Sequence, residues 1–598
     1  MARLTVAPAI VVLGAGALPV AERIRARYQG ATIHALAGRA EGDVAFSELG
    51  AHLRALYARG NPVVALCAAG IVIRCVAPCL ADKGVEPPVL AVAEDGSAVV
   101  PLLGGLTGVN LLAREIAETL GVAPAITTSG ELRFGACVLN PPEGYALADI
   151  GAGKRFVSDL LAGASTRVDG AAPWLEGVAL PVDAAGSHAI RVTPRRAGGA
   201  GSGELLIHPR SVVVALAEGF AHQVESLATP AQAADHEAGG DPLARRILDA
   251  LAAADLSPLA LAALVAPRQC MREAALARAA RELGVPLRFV ASEADPAGDA
   301  AALLDAALAA GSIDASPAIT LDDHGKPSKS LAIAIAEAPV DANRLGQARG
   351  SLTVLGLGPG RADLLAPAAR LALAEATDIL GYATYVRMAG PFRADQRVHE
   401  TDNREELQRA RHAFELAAQG RRVAMVSSGD PGVFAMAAAV LEALDGAGEP
   451  AWDEVALEVV PGVSAAFATA AEAGAPLGHD FCVISLSDNL KPWGVIEERL
   501  ALAARADLVM AFYNPISKAR PWQLDRALEI LREIRAADTV VVLGRDVGRP
   551  GASLRSLTLG ELRTADVDMR TMVIVGSSKT RRFASAEREW IYTPRFYD

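Results

Sequence analysis

Three short turns carry residues from which a small-molecule site could be built. SLTVLGLGPG (351–360), SSGDPGVFAM (427–436) and EVVPGVSAA (458–466) each follow a β-branched run, and each contains a Pro-Gly step. In a parallel sheet such turns lie at the carboxyl ends of strands, where ligands bind. None is a nucleotide loop. The first reads Gly-x-Gly-Pro-Gly, the wrong spacing for a dinucleotide fingerprint, and no Lys-Ser/Thr follows as in a Walker loop. Pro359 also removes an amide donor that a phosphate cradle would use. Glycine lets the main chain approach a ligand closely, and lysine is absent from all three turns. A neutral pocket of amides and carbonyls suits S-adenosylmethionine, whose sulfonium is repelled by cations and which carries no phosphate. Taken alone, the first turn reads better as a tight strand-to-helix connection.

The elements that must position these turns are legible from patterning. Strand-like runs alternate with Ala/Leu-rich helical stretches: VVLGAG, NPVVALC, APAITT, VAMVSSG, LEVVPG, ADLVMAFY, TVVVLG and TMVIVG. This alternation predicts α/β layering with largely parallel sheets. RAGGAGSG (196–203), TPAQAADHEAGGD (229–241) and DANRLGQARG (341–350) break it. They read as an internal loop, a domain linker and the junction between two large halves. At 598 residues the chain is too long for one core. The expected domains are 1–235, 236–345 and 350–598.

A net charge of −12 argues against non-specific nucleic-acid binding. No uncharged run is long enough for a membrane helix, and the N-terminal AIVVLGAGALPVAERIRARY reads as strand, glycine turn and amphipathic helix. The six cysteines form no metal-ligand spacing, so no metal site is expected. Sparse thiols suit a reducing cytoplasm.

Residues 350–598 resemble the tetrapyrrole methyltransferases of cobalamin synthesis. The pieces that carry the resemblance are GLGPG, SSGDPGVFAM, VVPGVSAAFATAAEAGAPLGHDFCVISLSDNLKPWGVIEERL, MAFYNPISKARPWQLDRALEIL and DMRTMVIVGSSKT. Within them, GHDFCVISLSDNLKPW and AFYNP are similar to the precorrin-3B C(17)-methyltransferases. The resemblance implies a two-lobed α/β fold, a homodimer formed through this domain, and S-adenosylmethionine held by Pro359, Gly429, Asp430, Val433, Ser464, Ala465 and Asn514. It implies methylation of a precorrin or cobalt-precorrin at carbon 17 with ring contraction, and partners among other enzymes of the pathway. Arg361 departs from the acidic residue common after the first turn in sister enzymes. Ring contraction needs positioned acid/base groups, and Asp430, His479 and Asp488 are the candidates. Each has a structural alternative: a turn brace, a packing group and a turn residue, respectively. The substrate is a polyacid, so Arg387, Arg393, Arg397, Lys491, Lys518 and Arg520 are candidate carboxylate partners. Tyr382 and Tyr385 are candidate macrocycle contacts.

Residues 10–340 resemble the cobalt-precorrin-5A hydrolases, most clearly in ALCAAGIVIRCVAPCLADKGVEPPVLAVAEDGSAVVPLLGGLTGVNLLAREIAETLGVAPAITTSGE (65–131). The resemblance implies α/β domains of that type and an acetaldehyde-releasing lactone hydrolysis. Gly104, Gly105 and Gly108 form a turn before a helix expected near Asn110, and a helix start beside such a turn can hold a carboxylate. Leu106 stands where the family has His, AEGFAHQ replaces a Gly-x-Gly-Cys turn, and APRQCMREAAL replaces a SIDLK-like stretch. A hydrolase needs a titratable group that leucine lacks. The alternatives for this half are an active hydrolase and a non-catalytic corrinoid-binding or channelling module.

Overall fold

The computed structural model describes residues 7–28, 30–80, 86–196, 203–227, 240–291, 298–320, 329–390, 392–393, 395–402, 406–517, 520–585 and 588–596. The chain divides into two compact units, one of Met1–Arg349 with Pro391–Asp395 and one of Gly350–Gly390 with Gln396–Asp598. The linker expected at 229–241 lies largely outside the described residues, as do most of 196–203 and Lys518.

Among the described residues the first unit holds three sheets. Its N-terminal sheet runs in the order Val44–Phe46, Thr32–Leu36, Ala9–Val12, Val63–Leu66, Val89–Val92, Val99–Leu103. All neighbours are parallel except the last pair. AIVV, VVAL and VLAV are buried at every position, as strands covered by helices on both faces must be. A second sheet orders Tyr145–Leu147, Glu204–Pro209, His188–Val192 and Thr166–Asp169. The third orders Leu287–Val290, Leu261–Pro267, Val212–Leu216, Leu331–Ile335 and Ile319–Thr320. Val212–Leu216 pairs with both Leu261–Pro267 and Leu331–Ile335, so a cut at 235/236 passes between strands of one sheet.

The second unit is two-lobed. Its first sheet orders Arg397–Thr401, Asp378–Tyr382, Arg422–Ser427, Ser351–Gly356 and Ala456–Val460, all parallel. Helices Glu406–Ala418 and Met436–Asp445 pack on it through Phe414, Met436 and Val440. The second lobe's sheet orders Phe481–Ser485, Val509–Tyr513, Thr571–Val575, Val540–Arg545 and Ser553–Thr558. Helices Trp493–Arg505 and Gln523–Ile534 cover it through Ile496, Leu500, Leu528 and Leu531.

Two expectations need correction. APAITT forms no strand: Pro124 makes one isolated bridge to Val99 and the segment continues as irregular chain. Three of its six residues are Pro124 or its neighbours, and proline gives no ladder donor. The second lobe's sheet is not largely parallel, since only Phe481–Ser485 and Val509–Tyr513 pair that way. The connection after Val540–Arg545 is a glycine-rich turn, too short for the crossover that a parallel neighbour requires.

Candidate functional site

Ser351–Gly356, Arg422–Ser427 and Ala456–Val460 are adjacent in the first lobe's sheet, so their three following turns meet at one carboxyl edge. The first two turns are stitched main chain to main chain: Gly358 and Gly429 exchange both amide hydrogen bonds, at 3.1 and 2.8 Å. Gly358 and Gly429 hold φ of +68° and +67°, a region that glycine enters without steric cost. A Cβ on Gly356 would strike the Gly429 carbonyl oxygen and lie 3.0 Å from Gly462 Cα. The cradle therefore has main-chain walls, and side chains at these glycines would fill it.

Asp430 locks the cradle. One carboxylate oxygen accepts the N–H of Gly432 at 2.8 Å and the other accepts the N–H of Gly462 at 3.0 Å. It thus ties the second turn to the third. Ser464, buried, is the N-cap residue of helix Ala465–Ala473. At that helix start the Ala466 N–H donates to the Tyr513 hydroxyl at 3.2 Å, which joins the third turn to the second lobe. Phe434, at φ +52°, packs on Tyr513 with ring centroids 5.4 Å apart. Lys491 sits 5.8 Å over the Phe434 ring, and burial, then Arg499, lowers its ammonium below the usual lysine value. Asn514 follows Tyr513 at φ +51° and donates to Ser485 Oγ at 3.1 Å. Pro359, Gly429, Asp430, Ser464, Ala465 and Asn514 thus lie on the linked turns and strand ends, and Val433 follows in the second turn, its N–H donating to Asp430 O at 3.3 Å.

A family model described as "Tetrapyrrole (Corrin/Porphyrin) Methylases" matches residues 351–563. A precorrin-3B C(17)-methyltransferase of Sinorhizobium sp is 52% identical over 249 residues, which cover 42% of this chain and 97% of that protein. The chain belongs to the tetrapyrrole methylases. The cobalamin biosynthesis protein CobIJ of Mycobacterium tuberculosis is 46% identical over 285 residues, 47% of this chain and 54% of that protein. A crystal structure of the methyltransferase CobJ shares 52% identity over 41% of this chain and 100% of its own, with a TM-score of 0.39. A second family model, "Cobalamin synthesis G N-terminal", matches residues 51–131.

Within the tetrapyrrole methylase unit the other candidates divide. Asp488 and Lys491 share the loop after Phe481–Ser485. Asp488 accepts from Gln523 Nε2 at 3.2 Å, and Arg520 donates to the Ser487 hydroxyl. His479 precedes the same strand, its Nδ1 accepting the Asp480 N–H at 2.7 Å. His479 and Asp488 thus lie beyond opposite ends of a five-residue strand, which itself spans about 13 Å at ~3.3 Å per residue. Tyr382 and Tyr385 meet edge to face at 5.3 Å, and burial raises the Tyr385 phenol. Arg387 folds back on Ala383 O at 3.1 Å, and Arg397 is an exposed strand residue; Arg393 falls in the short stretch grouped with the first unit, where it pairs with Asp395 at 3.0 Å. Arg361, the departure from sister enzymes, pairs with Asp363 two residues on.

Sequence reasoning missed Arg549. It lies in the turn after Val540–Arg545 and donates to Pro359 O at 3.0 Å and Ser428 Oγ at 3.2 Å. The motif RDVGRPG carried no signal that one of its arginines crosses to the other lobe.

In the first unit, Gly104 (φ +83°) and Gly108 (φ +102°) shape the turn before helix Val109–Leu120. Buried Asn110 donates to Glu131 Oε1 at 2.7 Å and Thr128 Oγ1 at 3.1 Å, and Arg114 pairs with the other Glu131 oxygen at 2.7 Å. Beside the turn is a cavity of about 520 Å³ lined by Glu86, Leu103, Gly104, Gly105, Asn110 and Thr127, among others. Glu86, an acidic residue, is among the lining residues, and Leu106 is not.

Proposed function

We propose that the second unit is an S-adenosylmethionine-dependent methyltransferase that acts on carbon 17 of precorrin-3B or its cobalt counterpart and contracts the ring. The observation that carries this reading is the main-chain cradle of three turns, closed by Asp430 and free of lysine. The 52% identity with the Sinorhizobium enzyme over nearly its whole length supports the same substrate.

S-adenosylmethionine supplies a methyl group already activated by its sulfonium. The chain's task is to hold donor and acceptor carbon in line at contact distance, an alignment that can supply much of the rate. Pro359, Gly429, Val433, Ser464, Ala465 and Asn514 are the proposed cofactor contacts. Asp430 acts mainly by fixing the turns, because both its oxygens already accept amide protons. Asp488 is the preferred acid/base group for ring contraction, since its loop also carries Lys491, stacked on Phe434 beside the cradle. His479, at the far end of the strand, ranks below it. Arg520 and Lys491 are proposed to face substrate carboxylates.

A cytoplasmic homodimer completes the reading. The cysteines are free thiols, and among the described residues no helix is long and apolar enough to cross a membrane. Phe467 and Phe481 form an exposed pair, ring centroids 6.0 Å apart, and Val483 is exposed two residues along the same edge strand. Such a patch is a candidate seat for a second copy. Phe467→Glu should shift the species seen by light scattering from dimer to monomer; a wild-type monomer would count against the assembly.

The deciding test is mass spectrometry of products formed from precorrin-3B, with and without cobalt, by the full chain and S-adenosylmethionine. A ring-contracted product one methyl heavier is expected. No methylated product from either form would overturn the reading.

For the first unit, the 520 Å³ cavity beside the glycine turn supports a second ligand site, with Glu86 as its carboxylate. Lactone hydrolysis and corrinoid holding are its two candidate roles.

A further inference from the structure

We infer that Arg549 is a positioning residue that couples methyl-donor binding to the contact between the two lobes of the methyltransferase unit. This rests on the donor reading above. Arg549 belongs to the second lobe, and its side chain spans two of the three cradle turns of the first. Its Nε–H donates to Pro359 O at 3.0 Å and its Nη2 to Ser428 Oγ at 3.2 Å. Pro359 ends the first turn's apolar approach and Ser428 precedes Gly429, so the guanidinium fixes the spacing between the backbones that wall the cradle.

The surroundings hold Arg549 in that pose. Gly548, at φ +84°, lies so close that an added Cβ would fall 2.9 Å from Pro359 Cβ. A Cβ on Gly360 would fall 2.8 Å from Arg549 Cγ and 3.0 Å from Gly548 O. The two glycine turns therefore pack main chain to main chain across the lobes. The Arg549 N–H donates to Asp546 O at 2.8 Å. Asp546 is itself buried at φ +50° and paired with Arg545 at 3.0 Å and with Arg570 at 2.7 Å. A rigid base thus aims one planar fork at two acceptors, a geometry that lysine's single ammonium reproduces only in part. The guanidinium is engaged by a carbonyl and a hydroxyl of the cradle turns themselves.

Calorimetry on the full-length chain tests this, with S-adenosylmethionine and precorrin-3B titrated separately into Arg549→Met, Arg549→Lys, Ser428→Ala and the Arg549→Met/Ser428→Ala double variant. Loss of a charged hydrogen bond predicts donor affinity weakened about tenfold in Arg549→Met, and less in Ser428→Ala and Arg549→Lys. The double variant should be no weaker than Arg549→Met alone, because the contact that Ser428→Ala removes is already lost in Arg549→Met. Precorrin affinity should stay unchanged, which a merely destabilised fold would not give. Unchanged donor affinity in Arg549→Met, equal weakening for both ligands, or additive losses would each overturn the assignment. If Arg549→Met fails to fold, Ser428→Ala, Arg549→Lys and their combination give the same coupling. A wild-type chain that binds no donor would sink the donor reading and this inference together; donor binding indifferent to Arg549 would sink the inference alone.

Discussion

Gly429 shows how little room a single position leaves. Its φ of +67° already disfavours any side chain, and a Cβ there would point toward Ser464 Cα at 3.5 Å and Ala465 N at 3.8 Å. Gly429→Arg would drive a cation into the space proposed for a sulfonium. Calorimetry should find S-adenosylmethionine binding lost; retained affinity would count against the proposed pocket. The roles of individual residues were only partly legible in the sequence. That Asp430 belonged to the turn cluster could be read from SSGDPG. That both its oxygens are taken up by amides, one of them 32 positions away, could not. The same limit applies to Arg549, whose partners lie 121 and 190 positions distant. Side-chain reach across a fold leaves no mark on local spacing.

At the scale of elements, strand Thr32–Leu36 and helix Leu49–Ala58 carry a histidine pair, His34 buried and His52 half-buried. His34 Nδ1 meets His52 Nε2 at 2.8 Å, its Nε2 meets Thr32 Oγ1 at 2.9 Å, and His52 stacks on Phe46. Burial first, and then the neighbouring His52, lowers His34 from 6.5 to about 4. The unfolded chain therefore binds more protons than the folded one between these values, and stability falls as the pH drops from 6.5 toward 4. The loss should reach about 3 kcal/mol at the low end. Denaturation of wild type against His34→Gln should show that slope in wild type and a shallower one in the variant. Parallel slopes would sink the idea. The strands here were foreseeable, because fully buried apolar runs such as AIVV and VVAL have few other uses. APAITT misled because its apolar character was read without weighing Pro124. The direction of the second lobe's strands was also misread, since run composition does not encode whether a neighbour is parallel. Connection length does, and the turn after Arg545 was the available clue.

The whole molecule joins a tetrapyrrole methylase unit to a unit whose residues 51–131 match the cobalamin synthesis G N-terminal family. The second unit's chemistry should proceed without the first unit's. A Gly429→Arg full-length chain given the lactone substrate isolates the N-terminal activity. If the unit is a hydrolase working through the 520 Å³ cavity, acetaldehyde should form, and Glu86→Gln should reduce it by about a hundredfold, as for loss of a general base. No acetaldehyde from the parent chain would leave ligand holding as the role of this unit. By itself the sequence determined the α/β class, the existence of three Pro-Gly turns after strand-like runs, and the family of the later portion. These follow from periodicity, glycine and proline placement, and contiguous motifs, all properties of neighbouring residues. Only the tertiary structure decided that the turns share one sheet edge, that Asp430 and Arg549 fasten them, and that His479 stands away from Asp488. Those outcomes depend on strand order and on contacts between residues far apart in the chain, which packing fixes and spacing does not record.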